Sequence, residues 1–183
     1  MKIILVGKSG SGKDIISRIL INTYRFKPII SYTTRPMRVG EQEGVEYHFV
    51  PESDFEEMQD IGFFIESRSY NTTYEGEAKT WNYATAYPDF NQRGNLIMIK
   101  DLEGAKHLKK LDDKVIVIFI GTDDLVRESR AKQRGSFCQV EWSRRLTEDD
   151  KDFKQEDVIK SCDYFLTNNG GLGELKRDLA SLL

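Results

Sequence analysis

A glycine-rich turn between an apolar run and a segment with helical spacing constrains this chain most. Residues 3–6 have the composition of a short buried strand, and residues 15–24 place apolar side chains at helical intervals. The turn between them reads Gly7-Lys8-Ser9-Gly10-Ser11-Gly12-Lys13. Such a turn curls so that backbone N–H groups and the helix N-terminus face an anion, while the lysine ammonium reaches outer phosphates. The pattern predicts a P-loop and phosphoryl-transfer chemistry.

The order of the remaining apolar runs predicts the fold class. Runs at 28–31, 96–99, 115–120 and 164–166 alternate with helix-like polar segments. We therefore expect an α/β fold, a P-loop NTPase-type parallel sheet flanked by helices. Residues 31–85 break this alternation with strand-like stretches at 45–50 and 63–70, and Ser53-x-x-Glu56 resembles a capping box. A small, mostly β insertion is predicted there, and a charged helical stretch over about 140–160 predicts a lid.

Composition excludes several classes of partner. A chain of 183 residues fits one domain, and a net charge of -3 provides no basic field for nucleic acid or an anionic membrane, so we expect small-molecule partners. Cys138 and Cys162 have neither metal-ligand nor redox-motif spacing and are predicted to be ordinary thiols. The N-terminal apolar run is too short for a signal-peptide core, and no stretch approaches membrane-spanning length, so a cytoplasmic location is expected.

A second motif follows the P-loop and makes a family resemblance specific. Residues 31–47 contain Ser31-x-Thr-Thr-Arg35-x-x-Arg38-x-Gly-Glu41 and then Gly-x-x-Tyr47. Together with the P-loop, this arrangement resembles the guanylate kinase family. The resemblance extends along essentially the whole chain, with further matches at Phe64-Ile65-Glu66, Tyr83-Ala84-Thr85, Asp101-Leu102-Glu103-Gly104, Arg130, Arg134-Gly135, Arg145-Leu146 and Asn168.

The resemblance implies an ATP-dependent kinase that phosphorylates GMP or dGMP with Mg²⁺ as cofactor. It implies ATP binding by Gly7, Lys8, Ser9, Gly10, Ser11, Gly12, Lys13, Asp14, Arg130, Arg134 and Asn168. The groups that would neutralise the moving phosphoryl are Lys13, Arg130, Arg134 and Arg145. The implied layout is one domain over 1–183, with a core of about 1–30, 86–130 and 151–183, an NMP-binding region of about 31–85 and a lid of about 131–150.

The resemblance also assigns the acceptor nucleotide. Its phosphate would be bound by Arg35, Arg38, Tyr47 and Tyr83, with Glu41 orienting an arginine. A guanine edge presents N1–H and N2–H donors beside the O6 acceptor, so it needs both acceptors and donors from the protein. By resemblance, Glu66 and Asp101 accept these hydrogen bonds, and Ser31 and Thr85 donate.

Three features depart from the family pattern. Asp14 replaces the usual Ser or Thr after the P-loop lysine, Ile99 replaces an acidic residue, and the segment 71–81 looks like a longer loop than usual. Asp14 could ligate Mg²⁺ or could simply stabilise the helix N-terminus. Two alternatives therefore stay open: a kinase of the same fold with another nucleoside monophosphate acceptor, and a catalytically silent binding module. The sequence does not reveal the oligomeric state.

Overall fold

The computed structural model describes residues 1–74, 77–133 and 137–183. In chain order the elements are β1 (Lys2–Val6), α1 (Lys13–Tyr24), β2 (Lys27–Pro28), β3 (Tyr32–Thr33), β4 (His48–Phe49), α2 (Glu52–Asp60), β5 (Phe64–Tyr74), β6 (Glu77–Ala86), α3 (Tyr87–Phe90), β7 (Leu96–Ile99), α4 (Leu102–Leu111), β8 (Val115–Gly121), α5 (Asp124–Gln133), α6 (Gln139–Asp152), α7 (Gln155–Ser161), β9 (Tyr164–Thr167) and α8 (Leu172–Leu182). No helix within the described ranges is long and apolar enough to cross a membrane.

The first compact unit comprises Met1–Lys27 and Ile97–Leu183 and is built on a parallel sheet. The strand order is β2-β7-β1-β8-β9, with β1 parallel to β8 and β8 parallel to β9. Because helices cover such a sheet on both faces, its central strands are almost entirely apolar. The core comprises Ile3, Leu5, Ile16, Ile19, Leu20, Phe26, Ile97, Ile118, Ile120, Leu166, Leu175 and Leu179. The predicted α/β fold class is confirmed, and the glycine-rich turn leaves the sheet at the C-terminal end of central strand β1.

The second compact unit, Pro28–Leu96, is mostly β, as expected for the insertion. Its strand order is β4-β3-β6-β5, in which β6 pairs antiparallel with both β3 and β5. Tyr32 lies opposite Ala84, and Glu66 lies opposite Thr85. These registers bring residues from three separate sequence segments onto one sheet.

The predicted long loop at 71–81 is wrong, because most of this segment is strand. β5 continues to Tyr74 and β6 begins at Glu77, with unbroken pairing from Glu66↔Thr85 to Tyr74↔Glu77. Aromatic and β-branched residues favour a pleated ribbon, and Tyr70 lies directly opposite Trp81. Residues 71–74 and 77–81 therefore lengthen the two paired strands instead of forming an irregular loop.

Other local predictions need smaller corrections. The strand predicted over 28–31 is observed only at Lys27–Pro28. The strand predicted over 45–50 shrinks to His48–Phe49. The capping box is wrong: α2 begins at Glu52, so Ser53 already lies in its first turn and donates to Asp54 Oδ1. The charged stretch over 140–160 forms two helices, α6 and α7.

Candidate active site

The turn after β1 adopts backbone angles that favour glycine. Gly7 and Gly12 have φ angles of +153° and +92°. A Cβ atom at Gly7 would lie 2.6 Å from the carbonyl oxygen of Ile120, and one at Gly12 would overlap the Asn168 side chain. The loop therefore reaches its tight curvature only because these positions have no side chain.

The Lys13 ammonium folds back across this loop. Its Nζ donates to the carbonyl oxygens of Gly7 at 2.6 Å and Lys8 at 3.1 Å. Lys13 is also the first residue of α1, where the first backbone N–H groups have no intrahelical acceptor. The loop thus combines a flexible cation with a helix N-terminus, the chemical requirements for binding a polyphosphate.

Side chains that directly follow β8 and β9 support the same loop. Asn168, which is buried, donates from Nδ2 to the carbonyl oxygen of Ser11 at 2.8 Å, and Thr122 Oγ1 donates to that oxygen at 3.1 Å. Arg130 Nη2 donates to Asn168 Oδ1 at 3.4 Å. Asn168 therefore links the loop to Arg130, one of the arginines predicted to neutralise the moving phosphoryl group.

Two buried donors beside the loop point to an anionic ligand. Within the described part of the chain, Ser11 Oγ and Arg130 Nη1 are buried and have no hydrogen-bond partner. Arg130 Nη1 lies 3.6 Å from the place that a Gly12 Cβ would occupy. A buried donor without an acceptor costs about 1–3 kcal/mol, more when charged, so both groups suit phosphate oxygens.

Three other residues singled out in the sequence lie on α6, α1 and β7. Arg145 is a half-buried residue of α6, Asp14 is exposed in the first turn of α1, and Ile99 lies at the end of β7. Arg134 lies outside the described residues. Sequence reasoning missed Arg127 and Asp149, which contact the loop at Ser9. For Arg127, the sequence did offer a clue: it precedes Arg130 by three residues, which places both on one face of α5.

In the second unit, Arg35 is the centre of the predicted acceptor-phosphate group. It is only 6 % exposed, and its Nη2 donates to both carboxylate oxygens of Glu41, at 2.8 and 3.0 Å. Burial alone would lower the pKa of the Arg35 guanidinium, but hydrogen bonding and charge attraction from Glu41 outweigh burial and raise it. Glu41 also accepts from the backbone N–H of Arg38 at 2.8 Å, so one carboxylate contacts the side chain of Arg35 and the backbone of Arg38.

Two tyrosines lie close to this arginine. The Arg35 guanidinium carbon is 5.5 Å from the centre of the Tyr47 ring, and the rings of Tyr47 and Tyr83 are 5.6 Å apart. Tyr83 also contributes, by hydrogen bonding and charge, to the raised pKa of Arg35. Arg38 is exposed. The structure thus brings together four of the predicted acceptor residues, Arg35, Glu41, Tyr47 and Tyr83, with the Arg38 backbone joined through Glu41.

The predicted base-recognition residues separate into two groups. Thr85 Oγ1 donates to Glu66 Oε1 at 2.7 Å, and both residues are buried. Ser31 is half-buried, and its carbonyl oxygen accepts from the His48 N–H at 2.9 Å. Asp101 belongs to the first unit, where it caps α4 by accepting from the Gly104 N–H at 2.6 Å.

The cysteines show no catalytic setting. Burial, followed by the charge of Asp163, raises the pKa of the Cys162 thiol to about 11. Cys138 is exposed at the N-cap of α6. A thiol with such a raised pKa is a poor nucleophile at neutral pH, consistent with the prediction for Cys162.

The fold and the loop define a P-loop protein of the α/β class: a central parallel strand, a glycine-rich turn and a helix N-terminus with a lysine beside it. Comparison with known proteins identifies the family. The family model described as Guanylate kinase matches residues 1–183. The chain therefore belongs to the guanylate kinase family, and the resemblance inferred from the motifs is confirmed.

Individual relatives agree with this assignment. The guanylate kinase of Mycoplasma pneumoniae is 32 % identical over 183 residues, covering 98 % of this chain and 72 % of that protein. The guanylate kinase of Desulfotalea psychrophila is 36 % identical over 136 residues, covering 73 % of this chain but only 65 % of that protein. The crystal structure of guanylate kinase from Anaplasma phagocytophilum has a TM-score of 0.66 at 20 % identity, covering 100 % of this chain and 84 % of that chain. At that identity the last comparison supports the fold alone.

Proposed function

We propose that this chain is an ATP-dependent guanylate kinase, which transfers the γ-phosphoryl group of ATP to GMP or dGMP and releases ADP with GDP or dGDP. Family membership over residues 1–183 supports this reaction. The alternatives, a kinase for another base and a silent binding module, are not favoured by the family or its relatives. The roles of individual residues are proposed from their contacts.

At the donor end, the loop and its neighbours bind the phosphates of ATP. Lys13 exchanges its carbonyl partners for phosphate oxygens, which form stronger, charge-assisted hydrogen bonds with an ammonium group. Ser11 Oγ and Arg130 Nη1 provide donors that are already buried beside the loop. Gly7, Lys8, Ser9, Gly10, Gly12 and Asp14 complete the proposed binding segment, and Asn168 supports it through Ser11.

At the acceptor end, the buried Glu66–Thr85 pair is the observation that carries the choice of base. A carboxylate has about four acceptor positions, so Glu66 can accept from Thr85 and also from guanine N1–H and N2–H. An adenine would place its N1 acceptor against this carboxylate. Ser31 and Asp101 are the further guanine contacts proposed. Arg35, Arg38, Tyr47 and Tyr83 bind the acceptor phosphate, with the Arg35 fork oriented by Glu41.

Cations of the chain stabilise the transferring phosphoryl group. Phosphoryl transfer depends on positioning and on neutralising charge over the moving oxygens, more than on covalent chemistry. Lys13 and Arg130 supply this charge from the loop and from α5, and Arg145 supplies it from α6. The sequence resemblance adds Arg134 to this set.

The residues present fit Mg²⁺ bound mainly through ATP. Within the described residues, no group of three or more His, Cys, Asp or Glu side chains is arranged to hold a metal. Mg²⁺ is commonly bound through one or two carboxylates, water and substrate phosphates, so the exposed Asp14 carboxylate beside Lys13 suits this mode. Ile99 offers no oxygen. When bound, Mg²⁺ would neutralise part of the phosphate charge, and Asp14 would be its proposed protein ligand.

The proposal is tested by measuring ADP production from MgATP with GMP, dGMP, AMP, CMP, UMP and dTMP. Turnover selective for a guanine nucleotide, lost in Lys13→Ala, is the expected result. Activity on another base would redirect the substrate assignment, and no activity on any acceptor would favour the binding module. The metal role of Asp14 is tested separately with Asp14→Ser, because an unchanged dependence of turnover on Mg²⁺ concentration would contradict it.

A further inference from the structure

A buried ion pair outside the predicted site contacts the phosphate-binding loop. Arg127 of α5 is fully buried, and its Nη1 lies 2.8 Å from Oδ2 of Asp149 on α6, whose side chain is 9 % exposed. Arg127 also donates from Nε and Nη2 to Asp124 Oδ1, and its guanidinium lies 5.7 Å from the Trp142 ring centre. The pair is therefore fixed by several contacts.

Both members of the pair also bind Ser9. The Ser9 backbone N–H donates to both oxygens of Asp149, at 2.9 and 3.1 Å, and the Ser9 hydroxyl donates to Oδ1 at 3.2 Å. Arg127 Nη1 donates to the Ser9 carbonyl oxygen at 2.8 Å. The N–H, the carbonyl and the hydroxyl of one loop residue are thus all bound by the same ion pair.

Stability of the fold alone does not explain why a buried ion pair lies at this position. Replacing a buried ion pair by apolar side chains of similar shape is often neutral or stabilising. An acidic side chain near a phosphate-binding loop would also repel the ligand, unless its charge is neutralised as Arg127 neutralises Asp149. A glycine-rich loop, however, has high conformational freedom and needs external contacts to keep one conformation.

We propose that Arg127 and Asp149 are positioning residues that hold the Ser9 segment of the loop in its ATP-binding conformation. This inference rests on the proposed function only in that the loop binds the phosphates of ATP or ADP. Arg127 precedes Arg130 by three residues on α5, and Asp149 follows Arg145 by four residues on α6. The pair therefore links the loop to both helices that carry proposed transition-state arginines.

The test is ADP affinity in a double variant, Arg127→Met with Asp149→Leu. Leucine and methionine keep the approximate size of aspartate and arginine. Because both charges are removed together, no buried charge is left unpaired. We expect the melting temperature to stay near that of the wild type and the ADP dissociation constant, measured by calorimetry, to rise about tenfold or more. The KM for GMP should not change. The matched control is Arg144→Met with Glu148→Leu, an exposed pair on α6, which should bind ADP like the wild type.

Wild-type ADP affinity in the folded double variant would overturn the proposal. ADP binding is measured without GMP, so a chain that fails to phosphorylate GMP still tests the role of the pair, and the two failures are distinguishable. If the double variant does not fold, the wild-type protein supplies the decision by amide hydrogen exchange. The Ser9 N–H should exchange far more slowly than that of exposed Gly40. Equally fast exchange would overturn the proposal, because the Ser9 segment would then not be held by the pair.

Discussion

At the residue scale, the proposed selectivity for guanine is tested most directly at Glu66. Replacing Glu66 by Gln keeps the size of the side chain and an oxygen for Thr85, but it removes the charge and presents an amide donor toward guanine donors. We expect kcat/KM for GMP to fall about 100-fold, since hydrogen bonds to a charged partner are the ones lost. Steady-state kinetics with GMP and AMP provide the measurement. Glu57→Gln, an exposed change on α2, is the control, and unchanged GMP kinetics in Glu66→Gln would reject the assignment.

The Glu41 carboxylate gives a second prediction, for the pH dependence of stability. Burial alone would raise the pKa of Glu41, but hydrogen bonds from Arg35 and the Arg38 amide lower it below its ordinary 4.5. A carboxyl group with a lowered folded-state pKa contributes stability above pH 4.5, which is lost as the pH falls through the folded value. We expect the difference in melting temperature between wild type and Glu41→Gln to be largest near neutral pH and to shrink below pH 4.5. A difference independent of pH would contradict this linkage.

At the element scale, Asp101 at the start of α4 has an observed structural role as the helix cap and a proposed role in binding guanine. Asp101 caps the helix through the Gly104 N–H, and Asn is about as good an N-cap as Asp. Asp101→Asn should therefore unfold at nearly the wild-type temperature while its KM for GMP rises about tenfold, because a charged acceptor is lost. Asp101→Ala should in addition lose about 1 kcal/mol of stability, measured by denaturant unfolding. Wild-type GMP kinetics in Asp101→Asn would contradict the proposed guanine contact of this residue.

Helices and strands with a strong local sequence pattern could be predicted. Strands whose formation depends on pairing with another strand could not. The apolar run at 96–99 and the helical spacing after Lys13 correspond closely to β7 and α1. The strand predicted at 63–70 corresponds to the first part of β5, but the pattern at 71–81 predicts a loop because its polar residues hide the strand alternation. Ring contacts between the strands, Tyr70 with Tyr83 at 5.5 Å and Tyr74 with Trp81 at 5.7 Å, stabilise the paired arrangement. Such pairing depends on a partner strand and is weakly encoded in either strand alone.

At the scale of the whole molecule, site residues that are close together in the sequence could be predicted, and contacts between residues far apart in the sequence could not. The P-loop and the Arg35 motif are contiguous and were found directly. The contacts of Ser9 with Asp149 and of Ser11 with Asn168 join residues 140 and 157 positions apart. Sequence spacing cannot predict contacts between residues so far apart in the chain. The family resemblance alone predicts a role for Asn168. The Arg127–Asp149 ion pair could be identified only from the structure.

ADP and GMP are each expected to stabilise the folded chain, independently of one another. A ligand present at 100 times its dissociation constant stabilises a protein by about 2.7 kcal/mol, roughly 5–10 °C in melting temperature for a chain of this size. ADP and GMP should each produce such a shift in the wild type. Lys13→Ala, in the first unit, should lose the ADP shift and keep the GMP shift. Arg35→Lys, in the second unit, cannot reproduce the guanidinium fork and should do the reverse. Loss of both shifts in either variant would show that the two nucleotide sites do not bind independently.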